Sequence, residues 1–138
     1  MPNPPVIAVV DDDEAMREAL FEFLQVIDLP CRVFERADAF LAAYAPGLFS
    51  CLITDIRMPG LSGLELQQRL KSLRSPLPVI FVTSSGDAST RSRAMAEGAI
   101  AYLTKPVCED DLIHYLKVAL HRDGSDNNSD DDRGPSKG

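Results

Sequence analysis

Apolar residues fall in short clusters along this chain, and the spacing within the clusters alternates between two kinds. Val6 to Val10 is an unbroken apolar run, as in a strand covered on both faces, and Asp11 to Asp13 ends it. Met16, Leu20, Phe23, Leu24 and Ile27 then recur at helical spacing as far as Pro30. Arg32 to Phe34 predicts a second, weaker strand, and Ala37 to Tyr44 a helix broken by Pro46-Gly47. Ser50 to Thr54 predicts a third strand. Met58-Pro59-Gly60 forms a turn, Ser62 suits a helix cap, and Leu66, Leu70 and Leu73 line one face of the helix behind it. Pro76 and Pro78 lead into Val79 to Thr83, a β-branched strand. A short helix over Ala88 to Ala96 is stopped by Gly98. Ile100 to Leu103 predicts the fifth strand, and Leu112, Ile113, Leu116 and Leu120 the last helix.

Strands alternating with helices in this way need right-handed crossovers. The pattern therefore predicts an α/β fold, with one parallel sheet covered by helices on both faces. The composition shifts after Leu120: His121 to Gly138 has no large apolar residue and carries five acids against three bases. Such a segment has no face to bury, so the sequence predicts a folded domain over 1–122 and a disordered polar tail or linker over 123–138.

Composition narrows the function classes. With 138 residues and 45% hydrophobic content, the chain suits one packed domain. A net charge of -7 argues against direct nucleic-acid binding, which needs a basic face. The longest apolar run, Ala39 to Ala45, is far too short to span a bilayer. Met1 to Pro5 offers no basic stretch followed by an apolar one, so no signal peptide is expected. Cys31, Cys51 and Cys108 are odd in number and lack metal-site spacing, which suits free thiols in the cytoplasm.

The chemistry-bearing residues stand where strands end. Asp11 and Asp12 follow strand one, Asp55 follows strand three, Thr83 ends strand four and Lys105 follows strand five. In an open parallel sheet these ends form the binding crevice, so residues distant in sequence converge there. At about 4 Å and an effective dielectric near 20, two carboxylates repel by roughly 4 kcal/mol. Lys105 supplies one compensating charge, and a hard divalent cation such as Mg²⁺ supplies two. No Cys or His stands at these positions, which disfavours Zn²⁺.

Four pieces, Val9 to Asp13, Asp55 to Gly60 with Gly63, Thr83-Ser84, and Tyr102 to Pro106, together resemble the signature of response-regulator (CheY-like) receiver domains. The resemblance covers Val6 to Leu120 and is nearest the nitrogen-fixation (FixJ-type) receivers, which normally precede a helix-turn-helix effector. It implies a flavodoxin-like (βα)5 sandwich of strand order 2-1-3-4-5. By resemblance Asp55 is the phosphoacceptor. Asp11, Asp12, Asp55 and the backbone carbonyl of Arg57 hold Mg²⁺, Lys105 and Thr83 hold the phosphoryl oxygens, and Tyr102 is a switch residue. A sensor histidine kinase or phosphotransfer protein would be the donor. The face of helix four, strand five and helix five, with Arg91, Tyr102 and Lys117, would then dimerise or control an effector in transcription regulation. The Lys105-Pro106 peptide is expected to be cis. Val107 departs from the family, which usually has Phe there, and Arg57 and Ser85 stand at positions where the family varies. Asp13 reads as favourable charge at a helix start rather than as a metal ligand. His114 and His121 lie on the last helix, away from the crevice.

Two other classes fit less well. An aspartate-nucleophile phosphatase of the dehalogenase type would carry its nucleophile after strand one with a second Asp two residues on, whereas residue 57 is Arg. A flavin carrier would need a Ser/Thr/Gly-rich phosphate loop where Asp11 to Asp13 stand. A nucleotide-binding P-loop is absent.

Overall fold

The structure, a computed structural model, describes residues 5–84 and 86–124. Ser85 and the expected tail from residue 125 onward lie outside the described residues. The strands are β1 (Ile7–Val10), β2 (Cys31–Phe34), β3 (Cys51–Thr54), β4 (Val79–Thr83) and β5 (Ala101–Thr104). The helices are α1 (Glu14–Val26), α2 (Ala37–Ala43), α3 (Gly63–Ser72), α4 (Ala88–Ala96) and α5 (Glu109–Gly124). Every neighbouring strand pair is parallel, and the order is β2-β1-β3-β4-β5. Helix α5 runs two residues past the boundary expected at 122.

Alternation along the strands builds two cores. Ile7 and Val9 of β1 point to one face, where Leu20 and Leu24 of α1 and Leu112 and Leu116 of α5 cover them. Ala8 and Val10 point to the other, against Phe40 of α2 and Leu66 of α3. A strand buried on both faces reads as a continuous apolar run, which is why β1, β3 and β4 are legible in the sequence. At the sheet edge β2 is half open, and its Arg32 and Val33 are exposed.

Helix starts follow local chemistry. The Asp13 carboxylate accepts from the Ala15 N–H at 3.0 Å and caps α1. Ser62 and Glu65 form a reciprocal capping box on α3, at 3.1 and 2.9 Å. Asp87 caps α4, and Gly98 follows its end at φ +102°, a conformation glycine adopts at little cost.

Candidate functional site

Parallel register sets the acids side by side. Val10 of β1 pairs with Thr54 of β3, so the next residues, Asp11 and Asp55, leave the sheet together at its carboxyl end. The Asp55 N–H donates to the Val10 carbonyl at 3.1 Å, and the Asp11 N–H to the Phe34 carbonyl at 3.1 Å. On the other side, Thr83 pairs with Thr104, and the Lys105 N–H donates to the Thr83 carbonyl at 2.9 Å. Helix attachment reverses between β1 and β3, and the crevice opens at this point.

Within the crevice Lys105 Nζ donates to Asp11 Oδ2 at 3.0 Å and to Asp55 Oδ2 at 3.1 Å. Asp11 is 2% exposed and Asp55 7%. Their remaining oxygens are also engaged: Asp11 Oδ1 accepts from the Asp13 N–H at 2.9 Å, and Asp55 Oδ1 from the Ile56 N–H at 2.6 Å. The side chain of Asp12 is exposed, yet carboxylate oxygens of Asp11, Asp12 and Asp55 lie within 4.8 Å of one another. Three carboxylates against one ammonium leave two negative charges in excess, the balance a hard divalent cation would cancel. Burial pushes the Asp11 pKa up, against the pull of the Asp13 N–H and Lys105. Burial works against the Lys105 charge, but the bonds to Asp11 and Asp55 outweigh it and hold that ammonium above its ordinary pKa.

Most expected site residues meet here. Thr83, 1% exposed, ends β4 at the same sheet edge. Tyr102 is buried on β5, its ring 6.2 Å from Phe81, and the Arg91 guanidinium of α4 sits 5.8 Å over it. Arg57 lies exposed in the loop between β3 and α3, and the Lys105-Pro106 peptide is cis. Asp13 caps its helix and is not in the carboxylate group, as its reading as helix charge expects.

Three further contributions, to which the sequence assigns no role, come from Thr54, Gly63 and Arg17. The Thr54 hydroxyl donates to the Asp55 carbonyl at 3.0 Å. Gly63 lets α3 press against that same carbonyl: an added Cβ would lie 2.1 Å from it. The Arg17 guanidinium donates to the Asp11 carbonyl at 2.8 Å. A signal for the last was present, since Arg17 is the sole base in α1, among Glu14, Glu18 and Glu22.

Residues 7–117 match the response regulator receiver domain. The chain belongs to this family. Its receiver fold is shared with solved relatives. The response regulator StyR is 38% identical at a TM-score of 0.81, over 86% of this chain and 60% of that one. FixJ-N is 33% identical at a TM-score of 0.77, over 86% of this chain and 94% of that one. In sequence, this receiver is 41% identical to the response regulator protein TmoT of Ectopseudomonas mendocina over 115 residues, which are 83% of this chain and 52% of TmoT. It is also 41% identical to the transcriptional regulatory protein FixJ of Bradyrhizobium diazoefficiens, over 84% of this chain and 57% of FixJ. The chain thus spans about half the length of the curated relatives it matches. Membership makes it a signalling domain of two-component systems, whose members work with kinases and effector domains. The dehalogenase-type phosphatase reading is not favoured. Among the described residues no helix is long and apolar enough to cross a membrane.

Proposed function

We propose that this receiver accepts a phosphoryl group on Asp55 and reports it through the α4-β5-α5 face. The observation that carries the reading is Lys105, whose ammonium touches Asp55 and Asp11 at once. An Asp55 oxygen attacks phosphorus, forming an acyl phosphate. The bond from phosphorus to the donor's leaving atom breaks, and that electron pair departs with the donor. Lys105 and Thr83 then hold phosphoryl oxygens. Asp11, Asp12, Asp55 and the Arg57 carbonyl suit Mg²⁺, which when bound would neutralise charge on the phosphoryl oxygens. A sensor histidine kinase or phosphotransfer protein is the proposed donor. Relatives named as transcriptional regulators support an effector beyond this chain and action in the cytoplasm.

The switch follows from energetics. Two charge-assisted bonds to a phosphoryl oxygen, from Thr83 and Lys105, offer about 3–6 kcal/mol. Moving a two-state equilibrium from 1:99 to 99:1 takes about 5.5 kcal/mol. The supply is near that requirement. Tyr102 fits as the responding group, since its ring is housed beside Phe81 and beneath Arg91, joining β5 to α4. The surface it would change is the proposed site of dimerisation or effector control, and the exposed Lys117 of α5 is a candidate contact. Incubation with acetyl phosphate and Mg²⁺ should add one base-labile phosphoryl group, suppressed by EDTA. Equal labelling of Asp55→Asn would overturn the assignment.

A further inference from the structure

The Asp11–Asp12 turn is held from outside as well as inside the crevice. Inside, Lys105 and the Asp13 N–H bind the two Asp11 carboxylate oxygens at 3.0 and 2.9 Å. Outside, Arg17 Nη1 donates to the Asp11 carbonyl at 2.8 Å. That carbonyl shares a rigid peptide plane with the Asp12 N–H, so fixing one fixes the other. Asp12 has the exposed side chain of the group and depends most on its backbone for placement. Arg17 is itself well held. Its side chain is 17% exposed, its backbone N–H donates to the Asp13 carbonyl at 3.0 Å, and its Nη2 lies 4.0 Å from Glu35 between β2 and α2.

We propose that Arg17 is a positioning residue for divalent-cation binding: it orients the Asp11–Asp12 peptide so that both carboxylates face the site. The proposal rests on the cation reading above. Charge and orientation predict opposite signs, which makes it testable. As a plain positive charge near the site, Arg17 would repel the cation, and its removal would tighten binding. As a positioning group it favours binding, and its removal weakens it.

Mg²⁺ affinity of the unphosphorylated chain, measured by calorimetric titration, separates the two. Arg17→Met keeps the stem and loses the donors, and should raise the Mg²⁺ Kd about tenfold, the usual effect of losing a group that orients a metal ligand. Arg17→Lys keeps the charge without the planar fork and should fall between Arg17→Met and the parent. The Mg²⁺ concentration for half-maximal labelling by acetyl phosphate should rise in step, while the rate at saturating Mg²⁺ stays near the parent's. An Arg17→Met variant that binds Mg²⁺ as tightly as the parent, or more tightly, overturns the proposal. If Arg17→Met fails to fold, Arg17→Lys decides alone: weaker binding supports positioning, and equal or tighter binding refutes it. Asp12→Asn is the control for the underlying reading. Unchanged Mg²⁺ affinity in that variant would overturn the cation site, and the role of Arg17 with it.

Discussion

Replacing Gly63 with alanine places a methyl carbon 2.1 Å from the Asp55 carbonyl oxygen and 3.0 Å from the Ile56 Cα. Ordinary carbon–oxygen contacts lie near 3.3 Å, so helix α3 and the Asp55–Ile56 peptide must separate by about 1 Å. Both sides of the contact are tied down. The Gly63 N–H donates to the Ile56 carbonyl at 2.7 Å, and the Thr54 hydroxyl holds the Asp55 carbonyl at 3.0 Å. The displaced peptide also carries the Ile56 N–H bonded to Asp55 Oδ1, so a shift of the backbone moves the carboxylate. Overpacking of this kind costs about 1–3 kcal/mol. A misplacement of about 1 Å at a reacting group costs on the order of 10²-fold in rate. Gly63→Ala should therefore label with acetyl phosphate about a hundredfold more slowly than the parent at saturating Mg²⁺. Gly86→Ala, where an added Cβ meets nothing within 4 Å, serves as the steric control. A Gly63→Ala rate within threefold of the parent would show instead that α3 yields without moving Asp55.

Other outcomes follow from the same geometry. Gln67 of α3 donates to the Ala94 carbonyl of α4 at 3.1 Å, while its buried Oε1 finds no partner among the described residues. Losing the bond costs about 0.5–1.5 kcal/mol and removing the orphan oxygen recovers about 1–3, so Gln67→Met should be neutral or stabilising in urea unfolding; a loss above about 1.5 kcal/mol contradicts this. Because burial raises the Asp11 pKa, protons compete for that carboxylate at higher pH than for an ordinary aspartate. Mg²⁺ affinity, titrated calorimetrically at descending pH, should accordingly begin to fall above the ordinary aspartate range, and a constant affinity down to that range would contradict the burial argument. Beryllofluoride with Mg²⁺ should shift amide NMR signals from Asp55 through Thr83 and Tyr102 to α4. Thr83→Ala should bind the mimic but lose the α4 shifts, and parent-like α4 shifts would break the proposed Thr83–Tyr102 coupling.

How far the sequence speaks depends on what each residue answers to. β1, β3 and β4 are apolar up to the closing Thr54 and Thr83 because both sheet faces are covered, and their ends fall within a residue of the expected positions. α4 is marked by its stop at Gly98, and α3 by the Ser62–Glu65 box; both are local signals. β2 is fainter because edge burial is partial, leaving Arg32 and Val33 to solvent. The boundary expected at 122 follows the hydrophobic spacing, which stops at Leu120, whereas α5 continues to Gly124. Among the site residues, Asp11, Asp55, Thr83 and Lys105 are legible because each stands at a strand end. The roles of Thr54, Gly63 and Arg17 are fainter. Each acts on the backbone carbonyl of an acid, a role that neither residue type nor a strand-end position reveals.

Uptake of the phosphoryl group by Asp55 can be read on the modified residue itself. Protein treated with acetyl phosphate and Mg²⁺ is reduced with borohydride, which converts an aspartyl phosphate to homoserine, and is then mapped by peptide mass spectrometry. Conversion is expected at position 55, with Asp11, Asp12 and Asp13 intact in the same sample. Conversion at any of those three acids, or none at position 55 in a sample that carries the phosphoryl group, would contradict uptake by Asp55.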